Sequence, residues 1–181
     1  MSSHTNAPPS LLGFFSDVPA RWTLRRCAAV GRGVRARGRI WVHGRGRVHI
    51  GDGVVLDGAH HPIELHALES GSEIWIGDGV HISGGASIEA VVSVRVGARS
   101  RIGSFSRLMD NHFHPLVGDR HFRPPSAPVV LGEDVDIGAR AILLAGARVG
   151  DGATVRPGTV ITRRVQVPEG GKARGLPAVL E

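Results

Sequence analysis

Aliphatic side chains recur every six residues in the second half of the chain, beginning at residue 131. A second small or branched residue follows each of them four positions later. This spacing is neither the period of about 3.6 of a helix nor the alternation of a long strand. The aliphatic series is Leu131, Ile137, Leu143, Val149, Val155 and Ile161, and the second series is Val135, Ala141, Ala147, Ala153, Thr159 and Val165.

A six-residue period fits short strands separated by tight turns, and the regularly placed Gly and Asp residues supply the turn chemistry. Three units then make one triangular coil, and coils stack at about 4.8 Å by parallel strand pairing. Only small or branched side chains fit inside so narrow a prism, which agrees with an aromatic content of 4%. The alternative, a sandwich or barrel, is expected to show longer alternating runs and fewer evenly spaced glycines. The pattern therefore favours an all-β parallel solenoid.

The same six-residue period is present upstream, with interruptions, and it defines the predicted boundaries of the solenoid. We expect residues 1–29 to form a tail and an N-terminal cap, 30–167 the solenoid, and 168–181 a C-terminal tail. Residues 30–48 are rich in Gly and Arg and are interpreted as an irregular first coil. The upstream inward positions are Ile50 and Leu56; Ile76, Ile82 and Ile88 with Val80, Ala86 and Val92; and Val96, Ile102 and Leu108 with Ser100 and Ser106.

One long segment interrupts the repeat. Leu108 and Leu131 are 23 residues apart, which is not a multiple of six, so residues 110–128 are predicted to form a loop. Long loops on regular scaffolds are frequent places for function. This loop is rich in groups that carry protons or bind anions: His112, His114, Arg120, His121 and Arg123.

Three segments of the repeat carry a family resemblance: Ile137-Gly138-Ala139, Val149-Gly150-Asp151-Gly152-Ala153 and Val160-Ile161-Thr162-Arg163. They resemble the hexapeptide-repeat acyltransferases, most closely the maltose- and galactoside-type O-acetyltransferases and those of surface-polysaccharide synthesis. The resemblance implies a left-handed β-helix, although the usual crossover rule alone predicts the opposite hand. It also implies a homotrimer with its active site between subunits, acetyl-CoA as co-substrate, and a sugar or glycan hydroxyl as acceptor.

In that family a His followed by Pro stands in such a loop and acts as the general base, and His114 with Pro115 matches it best. An imidazole suits this task because its pKa, about 6.5, lets it accept a proton at neutral pH. The hydroxyl would attack the thioester carbonyl, and a backbone N–H would stabilise the oxyanion. His112 is a rival base or an orienting neighbour, and Asp110 is a candidate to orient an imidazole. The alternative is that these are surface-loop residues without a role.

The resemblance also assigns candidate binding residues. Ala139, Gly158, Thr162 and Arg163 stand at the CoA-binding positions, and Arg174 is a candidate phosphate ligand, as are Arg164 and Lys172. The sugar contacts of the family, an Asn and an Asp, have Gly85 and Glu89 as their nearest counterparts, so they transfer only in part. Glu89 and Asn111 are retained as candidate acceptor ligands. Arg156-Pro157 and Val179 depart from the family pattern.

The net charge of +6 does not choose between nucleic acid, lipid and a polyanionic small molecule. Lys172 is the only lysine among the 22 basic residues, a bias that a GC-rich genome explains. Nucleic-acid binding by the arginine-rich stretch would need aromatic side chains beside the arginines, and Trp41 is the only one nearby. We therefore favour a solvated arginine face and expect no nucleic-acid partner. The arginine-rich stretch contains Arg32, Arg35, Arg37, Arg39, Arg45 and Arg47.

Two other functions stay open: a scaffold without catalysis, and a zinc enzyme of the γ-carbonic-anhydrase type using His81, His112 and His114. The second is disfavoured because zinc ligands are expected at rung spacing, so no metal is expected. No run of about 18 apolar residues and no signal-peptide order are present, so we expect a cytoplasmic protein. Residues 11–29 are expected to cap the open solenoid end rather than to lie on a membrane surface. Cys27 is the only cysteine, which excludes an internal disulfide.

Overall fold

The computed structural model describes residues 22–111 and 125–181, and it places eighteen β-strands in those two ranges. All but two of the strands have two to four residues, because a tight turn follows each of them. Their bounds are β1 (Ala29–Val30), β2 (Arg35–Gly44), β3 (Arg47–Ile50), β4 (Val55–Ala67), β5 (Glu73–Ile76), β6 (His81–Ser83), β7 (Ser87–Ala90), β8 (Ser93–Val96), β9 (Arg101–Ile102), β10 (Arg107–Met109), β11 (Val129–Leu131), β12 (Asp136–Ile137), β13 (Ile142–Leu143), β14 (Arg148–Val149), β15 (Thr154–Val155), β16 (Val160–Ile161), β17 (Lys172–Arg174) and β18 (Val179–Leu180).

The strands build three flat faces of a prism. Face 1 is a six-stranded sheet in the order β1-β3-β5-β8-β11-β14. Faces 2 and 3 are joined into one sheet because β2 and β4 run around a corner; face 2 continues through β6, β9, β12, β15 and β17, and face 3 through β7, β10, β13 and β16. Each of the named pairs is parallel except β17 with β18. Coil 1 comprises β1 and β2, coil 2 β3 and β4, coil 3 β5 to β7, coil 4 β8 to β10, coil 5 β11 to β13, and coil 6 β14 to β16.

The predicted inward ladders form the core. The six aliphatic positions from Leu131 to Ile161 are at most 3% exposed, and the small residues four positions on are buried as well, except Val165, which is partly buried. In-register pairing stacks equivalent side chains, such as Leu143 on Leu108 and Ile161 on Leu143. Burial of these columns supplies the hydrophobic stabilisation of a prism that has no aromatic core. The core prediction is thereby confirmed for this region.

Val92 is an exception, because the pattern predicts it inward and it is 43% exposed. Val94 takes the inward place and is fully buried. The reason is an insertion: Ile76 pairs with Val96, twenty residues on, whereas a regular coil advances by eighteen. The two additional residues bulge out at the corner that follows face 3.

Both ends of the solenoid are covered by the chain itself. A helical turn at Trp22 and Thr23 leads into Leu24, which is buried in the core. At the other end the parallel ladder continues past residue 167, because β17 pairs with β15 and β18 then folds back on β17. The C-terminal segment therefore contributes strands to the solenoid. Within the described ranges, no helix is long and apolar enough to cross a membrane.

The corner between faces 2 and 3, here called the second corner, is built on left-handed backbone conformations. Gly85, Phe105, Arg140 and Gly158 occupy it in coils 3 to 6, and all four have a positive φ, between 57° and 78°. Backbone hydrogen bonds connect these corners from one coil to the next, for example from the Gly158 N–H to the Ala139 carbonyl at 2.9 Å. The second corner is therefore a continuous edge that runs along the solenoid axis.

Candidate functional site

The base of the predicted loop is fixed by a buried aspartate. Asp110 follows β10, is fully buried, and accepts hydrogen bonds from the N–H groups of Val91 at 2.8 Å and Val92 at 2.6 Å. These are the two inserted corner residues of the preceding coil. The chain returns to the same point, because the Ala127 N–H donates to the Asp110 carbonyl at 2.9 Å. Asp110 thus connects the two ends of the loop to each other and to the bulge at Val91 and Val92.

Asp110 therefore positions the loop through main-chain contacts. Charge-assisted bonds from backbone N–H groups are about twice as strong as neutral ones, which suits an anchor. Asn111 extends the arrangement by donating from Nδ2 to Asp110 Oδ1 at 3.4 Å. The predicted base His114 and its neighbour His112 lie outside the described residues, so the orienting role predicted for Asp110 stays a prediction.

A second buried carboxylate lies on the outer side of face 3. Glu89, on β7, is 8% exposed and accepts a hydrogen bond from Ser87 Oγ at 3.3 Å. Its in-register neighbours are His66 on β4 and Met109 on β10, so it lies one strand away from the loop base. A buried carboxylate with a single hydroxyl donor is costly unless a further partner meets it.

Two polar atoms near this carboxylate have no hydrogen-bond partner. They are Oδ1 of the buried Asn111 and Nε2 of His66. Buried polar atoms are nearly always paired, so each orphan needs an explanation such as a ligand or a water. Among the described residues, Glu89 and Asp110 are the only buried carboxylates, and both lie beside the interruption of the repeat. The structure thus brings together three of the predicted residues: Glu89, Asp110 and Asn111.

The predicted CoA-binding residues fall into two groups. Ala139 and Gly158 lie at the second corner of coils 5 and 6, and a Cβ added to Gly158 would meet nothing within 4 Å. Thr162 and Arg163 lie beyond the opposite edge of face 3, where Thr162 Oγ1 accepts the Arg164 N–H at 3.2 Å. The structure therefore does not bring the two groups together on one edge. Arg163 and Arg164 are exposed.

Arg174 already has an acidic partner. Its Nε lies 3.1 Å from Glu181 Oε1, and Arg156 approaches the other oxygen of the same carboxylate at 3.4 Å. A phosphate at Arg174 would have to compete with this pair. The geometry therefore favours Arg163 over Arg174 as a phosphate ligand.

Sequence reasoning missed an exposed cluster at the second corner. The Phe105 ring is 41% exposed, and the centroid of the His61 ring lies 4.7 Å from its own. The Arg140 guanidinium lies 5.7 Å from the same ring. The available signal was an aromatic residue at a repeat position that Gly85 and Gly158 occupy in other coils.

A second exposed aromatic has a different setting. Trp75 on face 1 stacks on His49 with ring centroids 3.8 Å apart, and its Nε1 donates to Glu73 at 2.9 Å. That bond, with the neighbouring Arg47 guanidinium, holds the pKa of Glu73 below its usual value. Trp75 is thus held in place by His49 and Glu73. The ion pair between Arg47 and Glu73 also neutralises part of the charge of the arginine-rich stretch.

Two further features bear on the alternatives. A cavity of about 300 Å³ opens on coil 1, with Trp22, Arg25, Arg26 and Trp41 in its wall, and none of the predicted site residues lines it. Across residues 22–111 and 125–181, no three His, Cys, Asp or Glu side chains form a metal-ligand group. His112 and His114 of the zinc alternative lie outside those ranges.

A family model of known proteins matches the repeat region of this chain. Residues 128–163 match the family model described as bacterial transferase hexapeptide (six repeats). This match confirms the predicted hexapeptide repeat, and the fold is the left-handed parallel β-helix that the resemblance implied. A segment of 56 residues is 50% identical to 2,3,4,5-tetrahydropyridine-2,6-dicarboxylate N-acetyltransferase of Staphylococcus aureus, covering 30% of this chain and 23% of that relative's length.

Solved structures share the fold at low sequence identity. AntD, an N-acyltransferase from Bacillus cereus solved with dTDP and 3-hydroxybutyryl-CoA, has a TM-score of 0.71 and 16% identity, over 90% of this chain and 86% of AntD. The acetyltransferase VCA0836 from Vibrio cholerae, with acetyl-CoA, has a TM-score of 0.64 and 17% identity, over 91% and 76%. PerB from Caulobacter crescentus, with CoA and GDP-perosamine, has a TM-score of 0.55 and 23% identity, over 92% and 67%.

Proposed function

We propose that this protein is an acyl-CoA-dependent acyltransferase that transfers a short acyl group to an amine on a nucleotide-linked sugar, and that it works as a homotrimer. The supporting comparisons are consistent in chemistry: the S. aureus relative is an N-acetyltransferase, and AntD is an N-acyltransferase. PerB was solved with the amino-sugar nucleotide GDP-perosamine. These relatives favour an amine over the hydroxyl acceptor expected from the sequence, so O-acylation is the second candidate.

The observation that carries the proposal is the pair of buried carboxylates at the loop. Asp110 ties the loop base to the inserted corner, and Glu89 lies buried one strand away with a single hydroxyl donor. A scaffold gains nothing from a buried, sparsely paired carboxylate beside a long interruption of the repeat. An acceptor with an amine and hydroxyls would supply the missing donors to Glu89.

The proposed chemistry follows from these positions and from the resemblance. The amine nitrogen attacks the thioester carbon and forms the new C–N bond, while His114 accepts the proton that the nitrogen releases. A backbone N–H stabilises the oxyanion of the tetrahedral intermediate. The intermediate collapses, the C–S bond breaks, and the proton passes from His114 to the departing CoA thiolate.

The residues assigned to CoA fit the group in two respects. The space above Gly158 is open, so a pantetheine arm can pass along the second corner. Arg163 and Arg164 are exposed side chains able to meet phosphate oxygens, and they lie with the loop base beyond the opposite edge of face 3. Because the second corner and this opposite edge are separate within one subunit, a CoA that uses both groups is expected to lie between two subunits. This separation supports the proposed trimer.

The test is a thiol-release assay with the full chain, acetyl-CoA and two amino-sugar nucleotides, dTDP-4-amino-4,6-dideoxyglucose and GDP-perosamine. We expect CoA release that depends on an amino sugar, and a loss of about 100-fold or more in kcat for His114→Ala. The matched control is His81→Ala on face 2, which should retain wild-type kcat. Release that requires no amino sugar, or that His114→Ala leaves unchanged, would contradict the proposal. The same assay is run with dTDP-glucose, which offers hydroxyls but no amine, and transfer to it alone would favour O-acylation.

A further inference from the structure

The Phe105 side chain occupies a backbone position that suits glycine. Its φ is +59°, and the residues at the same corner are Gly85 at +78° in coil 3, Arg140 at +57° in coil 5 and Gly158 at +70° in coil 6. A bulky L-residue is disfavoured in this left-handed region, because its Cβ approaches the following carbonyl oxygen. Strain of this kind tends to persist where a side chain has a function.

The ring does not offset this backbone strain by packing in the core. Phe105 lies outside the prism, and the inward positions of its coil are filled by Ser106 and Leu108, which are fully buried. The ring lies over Gly85, where a Cβ would collide with ring atoms Cδ1 and Cε1. The absence of a side chain at Gly85 therefore makes room for the ring, which remains 41% exposed.

The flanking residues give the exposed ring a polar setting. His61 lies on an insertion in β4, because three more residues separate Gly58 from Ile63 than separate their partners Gly38 and Ile40. On the other side is the exposed guanidinium of Arg140, which takes part in none of the ion pairs of the described residues. An aromatic face, a histidine and a free guanidinium thus share one exposed edge.

The position of this cluster along the axis connects it to the proposed reaction. Phe105 and the loop base at Asp110 belong to the same coil, and Ala139 lies one coil further along the second corner. In a trimer whose threefold axis runs parallel to the solenoid axis, equivalent coils of the three subunits stand at the same height. In such a trimer the Phe105 edge of one subunit would be level with the loop base of its neighbour.

We propose that Phe105, His61 and Arg140 form the platform that binds the acceptor, a 4-amino-deoxy sugar linked to a nucleoside diphosphate. The aromatic face packs against the apolar face of the deoxy sugar ring. Arg140 pairs with the diphosphate, and His61 hydrogen-bonds a sugar hydroxyl. Gly85 contributes space for the ring. This inference rests on the proposed function and specifies its acceptor site.

The test combines kinetics and direct binding for Phe105→Gly, a variant that removes the ring and relaxes the backbone. We expect KM and calorimetric Kd for dTDP-4-amino-4,6-dideoxyglucose to rise about 10-fold, with KM for acetyl-CoA unchanged and Tm not lowered. Phe105→Trp should restore most of the affinity. Arg140→Gln should weaken the sugar nucleotide by about 10-fold and should have less effect on the free amino sugar. The control is Arg99→Gly, the same backbone change at the other corner of coil 4, with φ +58°; it also removes the ion pairs of Arg99, so it is compared for KM and Kd, which should stay unchanged, and not for Tm.

Two outcomes overturn the inference. In the first, the wild type binds no amino-sugar nucleotide. In the second, Phe105→Gly leaves sugar binding intact but alters the KM or chain-length preference for acyl-CoA, which would make Phe105 a wall of the acyl pocket. A wild type that binds the sugar through Phe105 but transfers no acyl group contradicts the proposed function and supports the platform.

Discussion

Coils 5 and 6 advance by eighteen residues on every face, as the pairs Leu131–Val149, Ile137–Val155 and Leu143–Ile161 show. Coils 2 to 4 are longer and unequal. Ile50 pairs with Ile76 after 26 residues, Leu65 with Ile88 after 23, and Ile76 with Val96 after 20. Yet the inward side chains stack in register in both regions, so the additional residues are all accommodated at corners.

This difference separates the regular part of the solenoid from the part that contains the candidate site. The buried carboxylates Glu89 and Asp110, the bulge at Val92 and the exposed ring of Phe105 all lie in the irregular coils 3 and 4. The regular coils contribute a smooth corner with open space at Gly158. Insertions at corners thus add buried carboxylates and an exposed ring while the parallel ladder is preserved.

The largest expected effect tests whether the two regions share one core. Leu143→Ala in a regular coil and Ile88→Ala in an irregular coil should each lower the free energy of unfolding by about 3 kcal/mol, since both side chains are fully buried. Urea denaturation monitored by circular dichroism measures this. A cost below about 1 kcal/mol for Ile88→Ala alone would show that the irregular coils are loosely packed.

The next largest effect distinguishes an aspartate at the candidate site, Asp110, from one with a purely structural role, Asp151. Asp110→Asn weakens two bonds to backbone N–H groups and should cost about 1–3 kcal/mol of unfolding free energy, with a marked fall in kcat because the loop base shifts. Asp151→Asn is the control, because Asp151 Oδ1 accepts the Glu133 N–H at 2.9 Å in a regular coil, on an exposed corner. Its cost should stay near 0.5 kcal/mol or below, with kcat unchanged. Equal kcat in the two variants would contradict the account.

A smaller effect compares two glycines of coil 6. Gly158 and Gly152 both have positive φ, and neither has an atom within 4 Å of an added Cβ. Asn tolerates this backbone region, so Gly158→Asn and Gly152→Asn should both fold normally. Only Gly158→Asn should raise KM for acetyl-CoA, by about 10-fold, or about 1.4 kcal/mol. A similar rise in both variants would argue against a CoA arm at the second corner.

The smallest effect concerns pH and an exposed ion pair. The Arg99 guanidinium holds the pKa of Asp134 below its ordinary value of 3.8 and itself has a raised pKa. A lowered acid pKa in the folded state contributes stability that is present above 3.8 and is lost as pH falls through the lower folded value. Arg99→Gln should therefore lower Tm slightly at pH 7 and remove this part of the acid sensitivity. Because both groups are exposed, 0.5 M salt should mask the difference.

The solenoid could be predicted because one side chain in every six is inward and has to be small or aliphatic. That rule identifies Ile137 or Leu143 without any knowledge of distant contacts. It fails at Val92, because an insertion of two residues leaves the local composition unchanged while moving the side chain outward. The bulge is stabilised by Asp110, eighteen residues away from Val92, and such a contact leaves no local pattern.

The candidate site could be predicted only where a residue type is unusual in its context. Glu89 was identified as the nearest counterpart of a sugar contact in the resembled family, and Asp110 as a residue that could orient an imidazole, but the burial of both depends on how neighbouring coils stack. Phe105 was missed because a ring at an outward corner interrupts no hydrophobic period. His114 rests on the family resemblance, and its role stays a prediction.

The most direct test of the acyltransferase account is calorimetric titration of acetyl-CoA into the wild type and His114→Ala, with the oligomeric state measured on the same samples. The account predicts a trimer that binds acetyl-CoA at micromolar concentration with one site per subunit, and binding that survives in His114→Ala while transfer is lost. A well-folded protein that binds neither acetyl-CoA nor a longer acyl-CoA would contradict the account and leave a non-catalytic scaffold as the better description.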